Sequence, residues 1–348
     1  MTPVLSIRDL AVEFGTQGGV VHAVDGVSYD VYPGETVGII GESGCGKTAS
    51  VLAVLGLLPR RGRVTRGEVF LQGRDLLRLS PRELRRVRGR EVAMVFQDPM
   101  TSLHPLFSVG RQITEALRVH DPSLSRATAK ARAAALLELV GVPEPGLRMR
   151  GYPQEWSGGM RQRAMIAMAI ANAPQLLIAD EPTTALDVTV QAQVFDVLRT
   201  AQRETGAAIL LITHDLGVIA EMVDRVVVMY AGRMVETGDV HTIFHEPRHP
   251  YTLGLMANVP RPDVDVRRLA PIPGQPPSLI HPPPGCPFHP RCRLRRGRAR
   301  CAAEDPHLAP VGPSDHRSAC HFSDEMARET ESVVEEIGVD VTGGSHGS

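Results

Sequence analysis

The chain is 348 residues long, with a formal net charge of −1 at pH 7, 43% hydrophobic residues and 22% charged ones. This balance fits a soluble globular chain with room for two or more domains and excludes the fibrous and disordered classes. The near-neutral charge supplies no general attraction to nucleic acid, and only 4% of residues are aromatic, so the core has to be aliphatic.

No apolar run approaches the ~20 residues that cross a bilayer. The opening stretch "MTPVLSIRDL" has no basic-then-apolar export pattern. The expected location is therefore the cytosol, and any membrane role would be that of a peripheral subunit on the cytoplasmic face.

In chain order, "VLSIRDLAVEF" (4–14) alternates apolar and polar residues as a strand does, and "GTQGGV" turns it into a second strand, "VVHAVDGVSYDV". After the turn "YPGE", the short apolar strand "TVGII" runs straight into "GESGCGKTAS". Lys47 to Leu58 reads as a helix stopped by Pro59. Strands are predicted at "EVFLQG" and "EVAMVFQ". Between them lies a helix with Ser80 as N-cap, Pro81 at its first position and Glu83 at its third. Helices are predicted over 109–119, 125–140 and 158–171, then buried strands at "QLLIAD" and "AAILLIT" flanking a helix over 188–204.

Strands alternating with helices imply a parallel sheet wrapped by helices, with a helical subdomain inserted at about 98–171. Past residue 236 the composition changes. "PRHPYTLGLMANVPRP" carries one more helix, and the proline-rich stretch after it reads as an extended, crosslinked tail. The acidic 323–348, ending in Gly and Ser, reads as disordered.

Lysine occurs only twice in the chain, at Lys47 and Lys130; every other basic residue apart from histidine is arginine. Lys47 closes the pattern Gly41-x4-Gly46-Lys47-Thr48, after an apolar strand and at a helix start, which is the context of a phosphate-binding loop. Glycines let backbone N–H groups close on phosphate oxygens, and the helix start adds partial positive charge. A compact ammonium on a flexible stem reaches between phosphates where a guanidinium fits less well. Thr48 offers a hydroxyl to Mg²⁺. Cys45 sits inside the loop as a small residue, and its alkylation is expected to block ATP.

"QLLIADEP" sets Asp180 and Glu181 after an apolar strand: Asp180 to hold Mg²⁺, Glu181 to accept a proton from an attacking water. "EWSGGMRQR" places Ser157, Gly158 and Gly159 at a helix start, a second anion site of the same physical kind. Two such sites far apart in sequence suggest a nucleotide held between two subunits.

These motifs, in this order, resemble the ATP-binding cassette (ABC) transporter ATPases over residues 1 to about 240. The resemblance implies an α/β P-loop ATPase fold with an inserted helical subdomain. It implies that Phe14 stacks on adenine and that Gly41, Glu42, Ser43, Gly44, Cys45, Gly46, Lys47, Thr48 and Ala49 hold ATP. It assigns Gln97 in "VFQDP" to the Q-loop beside Mg²⁺, "ALD" (185–187) to the D-loop and His214 in "LITHD" to the switch histidine. Ser157, Gly158, Gly159 and Gln162 would reach the ATP of a partner subunit. Catalysis would rest on Glu181, His214 and Gln97 in a cycle of dimer closure and opening. One departure is Trp156, where the family usually has leucine; it is expected to pack under the helix that follows.

The tail reads Cys286-x5-Cys292-x8-Cys301-x18-Cys320. With no C-x2-C pair it is not a common zinc ribbon, but four thiolates suit zinc or an iron–sulfur cluster. His289, His316 and His321 leave mixed Cys/His zinc ligation open. "HPYT", "PIPGQPPSL" and "GCPFHPRC" resemble the C-terminal extension of oligopeptide/dipeptide importer ATPases, which carries the match to about residue 322. Some members hold a 4Fe-4S cluster on four cysteines, and the resemblance implies one on Cys286, Cys292, Cys301 and Cys320, with zinc as the alternative. Six arginines between 291 and 300 would offset the charge of such a cluster or solvate a loop.

The resemblance further implies a second ABC ATPase subunit, two transmembrane permease subunits and an extracytoplasmic substrate-binding protein, and no nucleic-acid partner. The expected units are a nucleotide-binding domain at 1–240, an extension at 241–322 and the tail. Competing readings are a soluble ABC ATPase acting on nucleic acid or ribosomes, a redox-regulated ATPase, and an importer ATPase for nickel or another small solute.

Overall fold

The computed structural model describes residues 1–98, 102–183, 188–257, 272–295, 297–312 and 315–326. β1 (Leu5–Thr16) turns back into β2 (Gly19–Val31) and also pairs antiparallel with β4 (Gly62–Leu71), which continues into the two-residue β5 (Arg74–Asp75). Together they form one sheet in the order β2-β1-β4-β5.

The second sheet has the order β11-β12-β10-β9-β3-β8-β7-β6. Its centre is parallel: β3 (Thr36–Ile40), β6 (Val92–Val95), β7 (Leu176–Asp180), β8 (Ala208–Ile212) and β9 (Arg225–Tyr230). Every residue of β3, β7 and β8 is buried, which explains sequences that are almost wholly apolar and do not alternate.

β10 (Arg233–Asp239) returns antiparallel to β9 through Ala231 and Gly232, both at positive φ (49° and 83°). That two-residue turn matches strand twist, and sequence reading missed this hairpin. β11 (Ala309–Pro310) and β12 (Arg317–Ser318) extend the same edge.

α1 (Lys47–Val54) ends four residues earlier than predicted. Gly56 is left-handed (φ 59°), Gly56 N–H donates to Ala53 O, and Leu57 N–H donates to Leu52 O, a glycine stop that acts before Pro59. α2 (Pro81–Val87) starts on the capping box expected of Ser80 and Glu83.

α3 (Val109–His120), α4 (Arg126–Leu139), the short α5 (Pro145–Arg148) and α6 (Gly158–Ala169) follow. Val109, Ile113, Ala133, Leu137 and Met165 from α3, α4 and α6 belong to one buried cluster, and Trp156 is buried in it, as expected of the departure at that position. α7 (Val188–Thr205), α8 (Leu216–Met222) and α9 (Val240–His245) complete the wrapping of the parallel sheet.

The C-terminal part is less irregular than its prolines suggest. α10 (Pro250–Met256) is the one further helix read from the sequence, and a short α11 (Ala299–Ala303) follows. The edge of β10 receives β12, and beneath it the fully buried Glu236 accepts from His316 Nε2 (2.7 Å) and from the backbone N–H groups of Arg248 and His249. These three hydrogen bonds, spread over both carboxyl oxygens, offset the cost of burying the group. No disulfide crosslinks the segment: all five cysteines are free. The tail expected to be disordered from 323 begins ordered, with Glu325 paired to Arg298 and Met326 buried; beyond residue 326 it lies outside the described residues.

Candidate nucleotide site

The parallel strand order explains how residues far apart in sequence meet. β3, β8, β7 and β6 are neighbours, and all run the same way. Their C-terminal ends therefore present the loop after Ile40, the segment Thr213–His214, the pair Asp180–Glu181 and Gln97 along one edge, where open α/β sheets bind ligands.

The loop after β3 is shaped by its glycines. Gly41, Gly44 and Gly46 have φ of 150°, 78° and 105°. A Cβ on Gly41 would lie 2.2 Å from Met229 O, and one on Gly46 would lie 2.1 Å from Ala23 O, so neither position admits a side chain. Gly232 N–H, in the β9–β10 turn, donates to Cys45 O and supports the loop from below.

Gly46 is the N-cap of α1 and brings no capping side chain, which leaves the first-turn N–H groups of the helix for a ligand. Lys47 is buried, with Nζ donating to Gly41 O (2.7 Å) and Glu42 O (3.0 Å). Ser43 and Gly44 are exposed at the crest and Ala49 is half-buried in α1. Burial pushes the Cys45 thiol up, partly offset by Lys47, and leaves it 5% exposed. Alkylation there should be slow, a more guarded position than sequence suggested.

At the neighbouring strand ends, Thr48 Oγ1 donates to Asp180 Oδ1 (3.2 Å). Gln97 Nε2 donates to Glu181 Oε2 (3.0 Å), and His214 Nδ1 lies 3.7 Å from the same oxygen. The three residues expected to share catalysis thus converge on one carboxylate. Glu181 holds a left-handed backbone (φ 45°), an uncommon and costly conformation for a residue with a Cβ and one that gathers at functional sites.

Burial raises the Asp180 pKa, Thr48 lowers it and the Glu181 charge raises it again. A raised folded-state value means that holding the ionised form costs stability above that value, and that the cost vanishes below the ordinary carboxylate range. Asp180→Asn should therefore raise the melting temperature of the nucleotide-free chain by about 2 °C near neutral pH. The gain should fade as the pH falls toward about 4 and be gone below it, and the Mg²⁺ dependence of ATP binding should disappear. Thermal unfolding against pH measures the first effect, and titration with and without Mg²⁺ the second.

Ser157 is the N-cap of α6, its Oγ accepting from Met160 N–H, and it is exposed. Gly158 and Gly159 are half-buried, and Gly159 faces Val190 so closely that a Cβ would sit 2.6 Å from Val190 Cγ1. Gln162 does not share that surface. It is 1% exposed on the inner face of α6, its Nε2 without a partner among the described residues, so it is not placed to touch a partner's nucleotide.

Phe14 lies half-buried with its ring against Gly62, where a Cβ would approach Phe14 Cε1 to 2.6 Å. The expected D-loop, 185–187, lies outside the described residues.

Two side chains not assigned by sequence also hold the loop. Tyr251 OH accepts from Glu42 N–H (2.8 Å), and Arg291 donates through both Nη atoms to the Glu42 carboxylate (2.6 and 2.9 Å). "HPYT" and "HPRC" were visible as family motifs, but nothing local in them points to a phosphate loop.

The expectation of a 4Fe-4S cluster, or of zinc, on Cys286, Cys292, Cys301 and Cys320 is not upheld. Among the described residues no group of three or more His, Cys, Asp or Glu side chains is placed to hold a metal ion. The four cysteines line one apolar cavity of about 20 Å³ with Phe288 and Phe322, about the space of one water. Burial pushes the Cys286 thiol up to about 11 and the Cys320 thiol up to about 12, and raises those of Cys292 and Cys301.

Two family models match the chain: ABC transporter over residues 24–184, and the C-terminal region of oligopeptide/dipeptide transporters over residues 235–301. The dipeptide transport ATP-binding protein of Escherichia coli is 49% identical over 327 residues, covering 94% of this chain and 99% of that one. This chain belongs to the ATP-binding proteins of oligopeptide and dipeptide ABC transporters.

Within that family, the Bacillus subtilis dipeptide transport ATP-binding protein is 52% identical over 85% of this chain and 88% of its own length. An oligopeptide transport ATP-binding protein of Mycobacterium tuberculosis is 54% identical over 92% of this chain but only 52% of its own, so the chain spans about half the length of that relative. Among solved structures, a dimeric ATP-binding cassette in a post-hydrolysis state with ADP and phosphate superposes with a TM-score of 0.61 at 25% identity, over 68% of this chain and 98% of that one. The ABC cassette fold of this family member is thereby established. No helix among its described residues is long and apolar enough to cross a membrane.

Proposed function

We propose that this chain is the ATP-hydrolysing subunit that powers uptake of di- or oligopeptides across the cytoplasmic membrane. The observation that carries the reading is the meeting of Gln97 and His214 on the Glu181 carboxylate, beside the Lys47–Thr48–Asp180 end of the phosphate loop.

Residues 1–240 act as the nucleotide-binding unit, with 98–171 as its helical part and 241–322 as an extension. Lys47 leaves the Gly41 and Glu42 carbonyls for the β- and γ-phosphates, and Phe14 carries the adenine. Thr48, Asp180 and Gln97 offer hard oxygen donors that fit Mg²⁺; when bound, the ion would neutralise phosphate charge. Glu181 takes the proton of the attacking water while His214 and Gln97 hold it in line.

Ser157, Gly158 and Gly159 face the nucleotide of a second ABC ATPase subunit, so closure depends on the γ-phosphate and ends with hydrolysis. The complex has two permease subunits, and one of them docks on the helical part of this chain, where a groove of about 1040 Å³ is lined by Leu106, Phe107, Arg111, Val119 and Tyr152. Leu106 and Val119 are 74% and 65% exposed there, which is apolar surface suited to a partner. An extracytoplasmic binding protein delivers the peptide, and the ATPase stays on the cytoplasmic face as a peripheral subunit.

In cells that depend on this chain, its deletion should abolish uptake of labelled di- or oligopeptide, restored by the wild type and not by Glu181→Gln. Undiminished peptide uptake, with loss of nickel uptake or co-sedimentation with ribosomes, would contradict the reading.

A further inference from the structure

A glutamate inside a phosphate loop raises an electrostatic problem. Glu42 follows Gly41 directly, and its carbonyl accepts from Lys47 Nζ, so its carboxylate stands within a residue's reach of the group that is to meet a highly anionic triphosphate. Left alone, that charge would oppose the ligand.

The answer comes from beyond residue 240. Arg291 forks onto both carboxylate oxygens of Glu42, donates through Nε to Pro273 O (2.8 Å) and through Nη1 to Tyr230 OH (3.3 Å), and its side chain is only 5% exposed. Such a fork fixes position as well as charge. Tyr251, fully buried, accepts the Glu42 N–H, with its ring 4.6 Å from that of Tyr230 and 5.4 Å from that of Phe288. Glu42 is thus held by its backbone from α10 and by its side chain from the turn His289–Arg291.

We propose that Arg291 and Tyr251 are positioning residues for the phosphate loop, cancelling the Glu42 charge and fixing its backbone, so that packing of the C-terminal extension and binding of nucleotide are linked. The proposal rests on the nucleotide-binding reading above. Linkage is reciprocal: nucleotide must steady the extension as much as the extension favours nucleotide.

The test is an equilibrium titration of the full chain with a fluorescent ATP analogue and Mg²⁺, with melting curves showing that each variant is folded. Arg291→Gln should weaken binding about tenfold, or ~1.4 kcal/mol, raising KM more than it changes kcat. Arg291→Lys, which keeps the charge and loses the fork, should lose less. The double variant Arg291→Gln/Glu42→Gln should recover at least half of the lost free energy, because the uncompensated carboxylate is gone.

Wild-type affinity in folded Arg291→Gln, or no recovery in the double variant, would overturn the proposal and leave Arg291 a structural staple. If Arg291→Gln does not fold, amide exchange in the wild type decides. Mg-ATP should slow exchange around residues 288–292, and unchanged exchange there overturns the linkage. A wild type that binds no ATP removes the nucleotide reading itself, an outcome distinct from these.

Discussion

Glu181→Gln should lower ATP turnover about 10³-fold while leaving the affinity for Mg-ATP within about threefold of the wild type. The amide keeps the shape of the side chain and can still accept from Gln97 Nε2, whose present distance to Glu181 Oε2 is 3.0 Å. What it loses is the ability to take a proton. An interaction needed only in the transition state affects kcat and spares binding. ATP should therefore accumulate on the variant and hold it closed against its partner subunit. The change also removes the one charge that, beside burial, raises the Asp180 pKa, so the neighbouring carboxylate should ionise more easily. Gel filtration of the variant with ATP, beside a phosphate-release assay, reads both effects. Normal turnover would take the base role from Glu181, and loss of ATP binding would make the residue part of the grip instead of the chemistry.

Lys47→Ala should weaken ATP binding at least about 100-fold, the equivalent of ~2.7 kcal/mol. An ammonium facing a phosphate charge about 4 Å away in partly desolvated surroundings contributes on the order of 4 kcal/mol, so even incomplete transfer of that interaction to the bound state gives such a loss. Without nucleotide, Lys47 is held by carbonyl oxygens of the loop at 2.7 and 3.0 Å, so binding exchanges two hydrogen bonds for contact with phosphate. Lys47→Arg should fare little better: Nζ already lies 3.7 Å from Cys45 Sγ in a buried pocket, and a planar guanidinium is larger. Titration of both variants checks this, and an affinity within threefold of the wild type in Lys47→Ala would oppose it.

Much of this site was legible in the sequence because its signals are local. The glycine spacing, the almost wholly apolar runs of β7 and β8 and the Ser80–Glu83 capping box each follow from backbone rules that act over a few residues. The strand order then brings Gln97 and His214 to the Glu181 carboxylate. The β9–β10 hairpin escaped because its turn is Ala231–Gly232, a weak turn dipeptide, and β10 (RMVETGD) is not an apolar run. Gln162 was misplaced because being close to Ser157 in sequence does not decide which face of α6 a side chain takes.

The cysteines misled for a different reason: spacing says that thiols are near one another in the chain, and nothing about whether their side chains are placed to hold a metal ion. Glu42 and Arg291 are 249 positions apart, and only the packing of the extension against the loop shows their pairing. The strands β11 and β12, two residues each, are too short to carry a period.

The measurement that bears most directly on the account is a calorimetric titration of the folded full chain with Mg-ATP. It should give saturable binding at one site per chain, with a dissociation constant in the range of about 1 µM to 1 mM typical of enzyme substrates. Folded protein giving no saturable signal through that range, with or without its partner subunit, would contradict it.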